Sequence, residues 1–277
     1  MNRNHQGKII LALSLPLSVL TIIVSCVGLF KPHFYSLETL NWQAQSTGQD
    51  IIDLFFIVPC LVTTSILAYR NNKTATMIWG GVLLYLTYTF TLYCFDIHFN
   101  KLFVLYCLCL CLSFYSLIYF FFTQRHENNK TYFENKSVVN FIGYYFLVIS
   151  ALFYFLWLSE IIPAIIQHTN PESIVETGLF TNGVQVIDLS VFLPGIAITG
   201  IFLLKRISVG FILAPVILTF FFLMDITIGV LTVIMIIKGV EGNLMVTAIM
   251  SLLALISLWL LIRFFRNIKP VSAGKLT

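Results

Sequence analysis

The sequence predicts an all-α polytopic membrane protein with eight transmembrane helices. Of its 277 residues, 58% are hydrophobic and only 10% are charged, and the mean hydropathy is +0.92. Soluble domains carry roughly 25% charged residues, so this composition excludes a water-soluble fold. The apolar residues form continuous runs and not the alternating pattern of an outer-membrane barrel, which favours helices.

Eight apolar runs reach or approach the ~20 residues that a helix needs to cross the hydrocarbon core. They lie near residues 9–30, 51–69, 77–95, 102–123, 138–159, 186–204, 209–237 and 244–262. The first run resembles a signal peptide that ends in a loose lipoprotein box at Cys26, so lipidation there is an alternative. Because apolar residues continue past Cys26 to Phe30, we expect a full span.

Basic residues predict the orientation of the chain. Only Lys31, Lys101 and Lys238 fall in segments that would be outside if the N-terminus were inside. The other Lys and Arg residues then lie inside, at positions 3, 8, 70, 73, 125, 130, 136, 205, 206, 263, 266, 269 and 275. Inner loops of membrane proteins carry such an excess. We therefore expect both termini to be cytoplasmic, in a bacterial plasma membrane.

A segment of the second run recurs in the sixth. Residues 48–70 and 183–205 align without gaps, and a basic residue closes each copy. Identical residues stand at positions 48 and 183, 52 and 187, 53 and 188, 54 and 189, 59 and 194, 64 and 199, and 66 and 201. The loop order also recurs, with long outer loops at 31–49 and 161–184. The alternative is chance similarity between apolar segments.

This recurrence predicts a 4+4 parallel internal repeat about an axis along the membrane normal. Residues 1–123 would form the first four-helix half and residues 138–263 the second. A cytoplasmic linker, 124–137, would join the halves, and residues 264–277 would form a basic cytoplasmic tail.

Each copy is expected to place an acid, a small residue and a threonine on one helix face. Positions seven and eleven after the acid return to within about 20° of its direction. The two stripes are Asp53, Cys60 and Thr64, and Asp188, Gly195 and Thr199. Small and hydroxyl residues favour protein-facing helix surfaces in bilayers, and Pro59 and Pro194 predict kinks at matching depth.

Three acids are candidates for binding a proton or a cation. Asp225 lies well inside an apolar run, where a lone carboxyl costs roughly 2.5–3.5 kcal/mol and requires a partner, water or a proton. The alternative for Asp225 is a structural hydrogen bond to a neighbouring helix. Asp53 and Asp188 would flank the same pocket with Thr64 and Thr199. Their alternative is capping of the outer helix ends, which would suit Asp50 better still.

Asp96, His98 and Glu160 are candidates for a polar outer mouth, and their alternative is the ordinary preference of turns for polar residues. No histidine or cysteine spacing matches a metal site, so we expect no metal and no other cofactor. The net charge of +4 is explained by the inner loops and gives no case for nucleic acid.

We expect a small transport or permeation protein with an outward-facing acidic pocket between the second, sixth and seventh helices. One alternative is a membrane-embedded enzyme that modifies a lipid or an isoprenoid carrier. Another is a non-catalytic subunit for membrane assembly, immunity or sensing. The expected partners are the lipid bilayer, a small molecule or ion, and either a membrane protein or further copies of the chain.

Overall fold

The computed structural model describes residues 3–127, 131–133 and 136–270. Within these ranges the helices are α1 (Arg3–Phe30), α2 (Leu40–Tyr69), α3 (Lys73–Phe95), α4 (Phe103–Glu127), α5 (Lys136–Gln167), α6 (Glu172–Thr177), α7 (Gly183–Leu204), α8 (Ser208–Ile237) and α9 (Leu244–Arg266). Strands β1 (Thr131–Phe133) and β2 (Ile268–Pro270) pair antiparallel. All helices except α6 are long and apolar enough to span a membrane, which confirms the predicted eight-helix, multi-pass class.

The predicted long outer loops are wrong in part, because both contain helix. Helix α2 begins at Leu40, where the Thr39 side chain accepts the backbone N–H of Trp42 at 3.3 Å. Helix α5 continues to Gln167, and α6 forms inside the second loop. The added turns of α2 are polar in sequence but face neighbouring helices, so a search for lipid-like runs does not find them.

The connections between helices gather at two ends of the bundle. We call one the linker end; it holds the turns at 70–73 and 205–208 and the β1–β2 ladder. The opposite cap end holds the connections 31–39, 96–102, 168–182 and 238–243. Of the predicted linker and tail, residues 128–130, 134, 135 and 271–277 lie outside the described residues, including Lys130 and Lys275. That the linker end is cytoplasmic stays a prediction.

Helix α8 is the centre of the bundle and packs against α2, α3, α7 and α9. On one side of α8, helix α5 packs closely against α7, because glycines remove the side chains at their crossing. A Cβ on Gly200 would lie 2.8 Å from the carbonyl oxygen of Gly143. Helices α5 and α9 contact each other little.

Helices α2 and α7 each contain one wide π turn, over Asp53–Ile57 and Asp188–Phe192. The amide before each proline donates to a carbonyl five residues back: Val58 to Asp53, and Leu193 to Asp188. A proline ring clashes with the carbonyl four residues before it in a regular helix, and the wider turn relieves this clash. The matching π turns agree with the predicted repeat, which as a whole remains a prediction.

Candidate functional site

A cavity of about 440 Å³ lies between α2, α3, α5, α7, α8 and α9, with α6 across its cap end. Its size falls in the range of roughly 300–1,000 Å³ that is typical of ligand pockets. Aromatic side chains form much of its wall: Trp42, Tyr88, Tyr93, Tyr145, Phe153, Trp157, Phe192, Phe220 and Phe221. The pocket expected between the second, sixth and seventh spans therefore coincides with a cavity that four further helices, α3, α5, α6 and α9, also line.

Asp225 faces this cavity from the middle of α8. It is only 8% exposed, and it belongs to the cavity wall. Twelve residues separate it from Ile237 at the cap end of α8, which corresponds to a depth of about 18 Å. No hydrogen-bond donor or cation among the described residues contacts its carboxylate. The expected structural hydrogen bond to a neighbouring helix is thus not found.

Asp188 lines the same cavity nearer the cap end. Its Oδ1 accepts a hydrogen bond from the hydroxyl of Tyr88 at 3.1 Å, and its Oδ2 accepts one from Nε1 of Trp157 at 2.9 Å. It is five residues from Gly183 at the start of α7, a depth of about 8 Å. Of the two aspartates that line the cavity, Asp188 is held by donors at a shallow level, whereas Asp225 is deeper and no described residue donates to its carboxylate.

Asp53 lies behind the cavity wall, where it is only 1% exposed. Its Oδ1 accepts hydrogen bonds from Nε2 of Gln49 at 2.9 Å and from the hydroxyl of Tyr85 at 3.4 Å. Gln49 lines the cavity, and Tyr85 shares a hydrogen bond of 2.8 Å with Thr227, which also lines it. Asp53 is therefore linked to the cavity through Gln49 on one route and through Tyr85 and Thr227 on the other.

The capping explanation for Asp50, Asp53 and Asp188 is wrong, because Thr39 and Asn182 cap α2 and α7 instead. Asp50 is fully buried and accepts hydrogen bonds from the hydroxyls of Tyr35 at 2.7 Å and Tyr93 at 2.8 Å.

Sequence reasoning also missed the three tyrosines of α3 that hold these acids: Tyr85, Tyr88 and Tyr93. Their spacing of three and five residues spreads them over the buried side of α3. Three hydroxyls on a single buried helix are a signal that could have been used, because a buried hydroxyl requires a partner.

Thr64 and Thr199 do not line the cavity. Each donates its hydroxyl proton within its own helix, to the carbonyl of Cys60 at 2.6 Å and of Gly195 at 2.7 Å. Each π turn adds about one residue to the helix after the acid. The residues that follow are therefore rotated about the helix axis by roughly 100° from the positions they would have in a regular α-helix. The structure thus brings Asp188 and Asp225 to one cavity but leaves both threonines away from it.

Asp96 and Glu160 brace the cap end of the cavity. The Asp96 carboxylate accepts the backbone N–H of Gly183 at 3.1 Å, which joins α3 to α7. Glu160 accepts the N–H of Ser173 and an amide proton from Gln185, both at 2.8 Å, which joins α5 to α6 and α7. Neither carboxylate is among the residues that line the cavity.

His98 lies apart from those two acids and pairs with Glu38. Its Nδ1 is 2.8 Å from Oε2 of Glu38, and its backbone N–H donates to Oε1 at 2.8 Å. No three His, Cys, Asp or Glu side chains within the described ranges lie close enough together to hold a metal ion. The three predicted mouth residues therefore serve three separate cap-end connections and not one common site.

We expect Asp96 to make the stability of the protein depend on pH. Burial raises the pKa of its carboxyl from about 3.8 to about 6, against the opposing effect of the Gly183 N–H. The folded state then binds the proton more tightly, so the free energy of unfolding should fall as pH rises through this interval and level off above it. Thermal unfolding of the wild type and of Asp96→Asn in detergent across this range checks the prediction. An equal pH dependence in both proteins would contradict it.

The chain matches no protein-family model, no curated protein and no solved structure with which it was compared.

Proposed function

We propose that the protein is a small integral membrane transport protein that binds an organic cation in this cavity, with Asp225 as the counter-charge. The unpartnered, almost fully buried carboxylate of Asp225 carries this proposal. An isolated carboxylate in low-dielectric surroundings is costly, and a bound cation reduces that cost. None of the cavity-lining residues, all within the described ranges, is Lys, Arg or His, so no internal cation competes.

The walls favour an organic cation over a small metal ion. A Ca²⁺ site needs roughly six to eight oxygen ligands, and a Mg²⁺ site needs six in near-ideal octahedral geometry. Around Asp225 the wall is formed by Phe221, Met224 and Tyr145 among others, which do not provide such a shell. Aromatic faces attract alkylammonium groups through cation–π interactions. The combination of carboxylate and aromatic wall therefore suits a desolvated ammonium group.

Transport, and not binding alone, is supported by where the cavity lies. Substrate sites of secondary transporters lie near the bilayer midplane, between repeats, beside interrupted helices. Asp225 is at mid-helix depth, and α2 and α7 are interrupted by π turns at corresponding positions. In this proposal the two four-helix halves, 1–123 and 138–263, move against each other around the cavity. The excess of basic residues predicts that the linker end is cytoplasmic, and in this proposal the cavity therefore lies toward the outside of a bacterial cell.

Two oppositely charged probes of nearly equal shape test the cation site. The protein in nanodiscs should bind tetraphenylphosphonium saturably and should not bind tetraphenylborate, once binding to empty nanodiscs is subtracted. Binding of both ions, or of neither, would contradict an acidic cavity. Either result would favour the alternative functions, a lipid-modifying enzyme or a non-catalytic assembly subunit.

Counterflow tests the transport step separately. Proteoliposomes preloaded with tetraethylammonium should accumulate labelled tetraethylammonium faster than liposomes without protein. Saturable phosphonium binding without counterflow would retain the cation site and refute transport.

A further inference from the structure

We infer that the cation is a single-chain amphiphile, an ammonium head group on an alkyl chain, which reaches the cavity from the bilayer through a slot between α5 and α9. The inference rests on the proposed cation site. It adds the apolar part of the ligand and the route by which the ligand arrives.

In the described part of the chain, the side-chain hydrogen bond and the ring contact between α5 and α9 both lie toward the linker end of the cavity. The hydroxyls of Tyr145 and Ser257 share a hydrogen bond of 3.0 Å, and the rings of Phe141 and Trp259 pack edge to face with centroids 6.2 Å apart. Because the helices run in opposite directions, the cap end lies at higher numbers on α5 and at lower numbers on α9.

Beyond these contacts, toward the cap end, both helices line the cavity. The apolar residues there are Ile149, Phe153 and Leu156 on α5, and Val246, Met250 and Leu253 on α9. Trp157 of α5 also lines the cavity and donates its Nε1–H to Asp188. Each apolar set spans eight residues, or about 10 Å of helix. In the described part of the chain, no hydrogen bond or ring contact joins α5 to α9 over this interval. We call this apolar gap the lateral slot.

The water-facing side of the cavity is covered by α6. The Thr39 hydroxyl donates to the backbone carbonyl of Glu176 at 2.9 Å, and Asn41 donates to the Glu176 carboxylate at 3.2 Å. Glu160 holds the first turn of α6 through the N–H of Ser173. With α6 tied to α2 and α5, the lateral slot is the less obstructed approach to the cavity.

The charge of the cavity and the apolar surface of the slot together indicate the chemistry of the ligand. The cavity is lined by three acidic residues, Glu176, Asp188 and Asp225, and by no positive side chain, whereas the six slot residues offer only apolar surface. A positive head group in the cavity would leave a chain lying through the slot toward the hydrocarbon. The exposed outer face of α9, with Leu252 59% exposed, continues that apolar surface. An alkylammonium amphiphile of the leaflet at the cap end satisfies both surfaces.

A bulky substitution in the slot tests the inference. Binding of dodecyltrimethylammonium and of tetramethylammonium is measured in nanodiscs for the wild type, Val246→Trp and Leu252→Trp, with empty nanodiscs subtracted. Val246 lines the slot, whereas Leu252 on the same helix faces outward. In Val246→Trp the ratio of dodecyl to tetramethyl affinity should fall at least about tenfold. This corresponds to roughly two methylenes excluded from the slot at about fourfold each.

The controls separate the slot from the cation site. Leu252→Trp should keep the wild-type ratio, and dodecanol, which has the chain without the charge, should displace the labelled amphiphile far less effectively than unlabelled dodecyltrimethylammonium does. An unchanged ratio in Val246→Trp, with the variant eluting as a single species, overturns the lateral slot while the cation site stands. Failure of the wild type to bind tetramethylammonium and dodecyltrimethylammonium overturns the proposed cation site itself.

Discussion

Replacing Asp225 by Asn is expected to weaken tetraphenylphosphonium binding on the order of 100-fold. Removing one partner of a buried charge pair costs about 2–5 kcal/mol, and each 1.4 kcal/mol is about tenfold in affinity. Titration of the nanodisc-embedded protein measures the effect. Because no residue in the described ranges donates to this carboxylate, its loss should not lower the temperature of unfolding without ligand. A purely structural acid would show the opposite pattern, with reduced stability and unchanged binding.

Three further variants separate the roles of the acids. Asp225→Glu keeps the charge and should retain part of the affinity. Asp188→Asn should cost about tenfold or less, because Tyr88 and Trp157 already satisfy that carboxylate. Glu241→Gln removes the same charge from an exposed cap-end position and should bind like the wild type. If Asp225→Asn bound like Glu241→Gln, Asp225 would not be the counter-charge.

Replacing Gly200 by Ala is expected to lower the free energy of unfolding by about 1–3 kcal/mol, the usual cost of overpacking. The new methyl group would lie 2.8 Å from the Gly143 carbonyl oxygen. Both groups that collide belong to packed helices, so relief requires α5 and α7 to separate. Thermal or denaturant unfolding in detergent measures the change.

Gly195→Ala provides a matched control on the same helix. No atom lies within 4 Å of a Cβ built on Gly195, so the methyl group fits without a collision. Alanine favours a helix over glycine by up to about 1 kcal/mol, and this variant should be neutral or more stable. Equal destabilisation by the two substitutions would show that the α5–α7 contact is not the cause.

The polar first turns of α2 are a part of the fold that the apolar runs of the sequence do not predict. Apolar runs locate the lipid-crossing part of each helix, because the bilayer selects for length and hydropathy. They do not detect the turns from Leu40 to Gln49, whose polar side chains face other helices. Thr39 was a usable start signal, since threonine is a preferred N-cap. Without those turns, Asp50 was assigned to the wrong place in its helix.

For the acids, too, the sequence identified some features and did not identify others. Asp225 was identifiable because a lone carboxyl in an apolar run is costly wherever the helix packs. The sequence identified Asp53 and Asp188 as a pair. It did not show that Asp188 lines the cavity whereas Asp53 lies behind the cavity wall. A proline predicts a local disturbance of the helix, yet it does not indicate that the disturbance is a π turn. That extra residue separates Thr64 and Thr199 from the acids.

The sequence by itself determined that the chain forms eight apolar helices suited to a membrane. Helical hydrogen bonds are local, and lipid requires every backbone group to be satisfied within the segment. Only the tertiary structure decided which acids share a cavity. The hydrogen-bond partners of Asp188 lie 31 and 100 residues away along the chain. Contacts between residues so far apart depend on tertiary packing, which no local sequence pattern specifies. Among the residues that the structure describes, the same packing gives Asp225 no hydrogen-bond donor, which makes it the residue on which the proposed function depends.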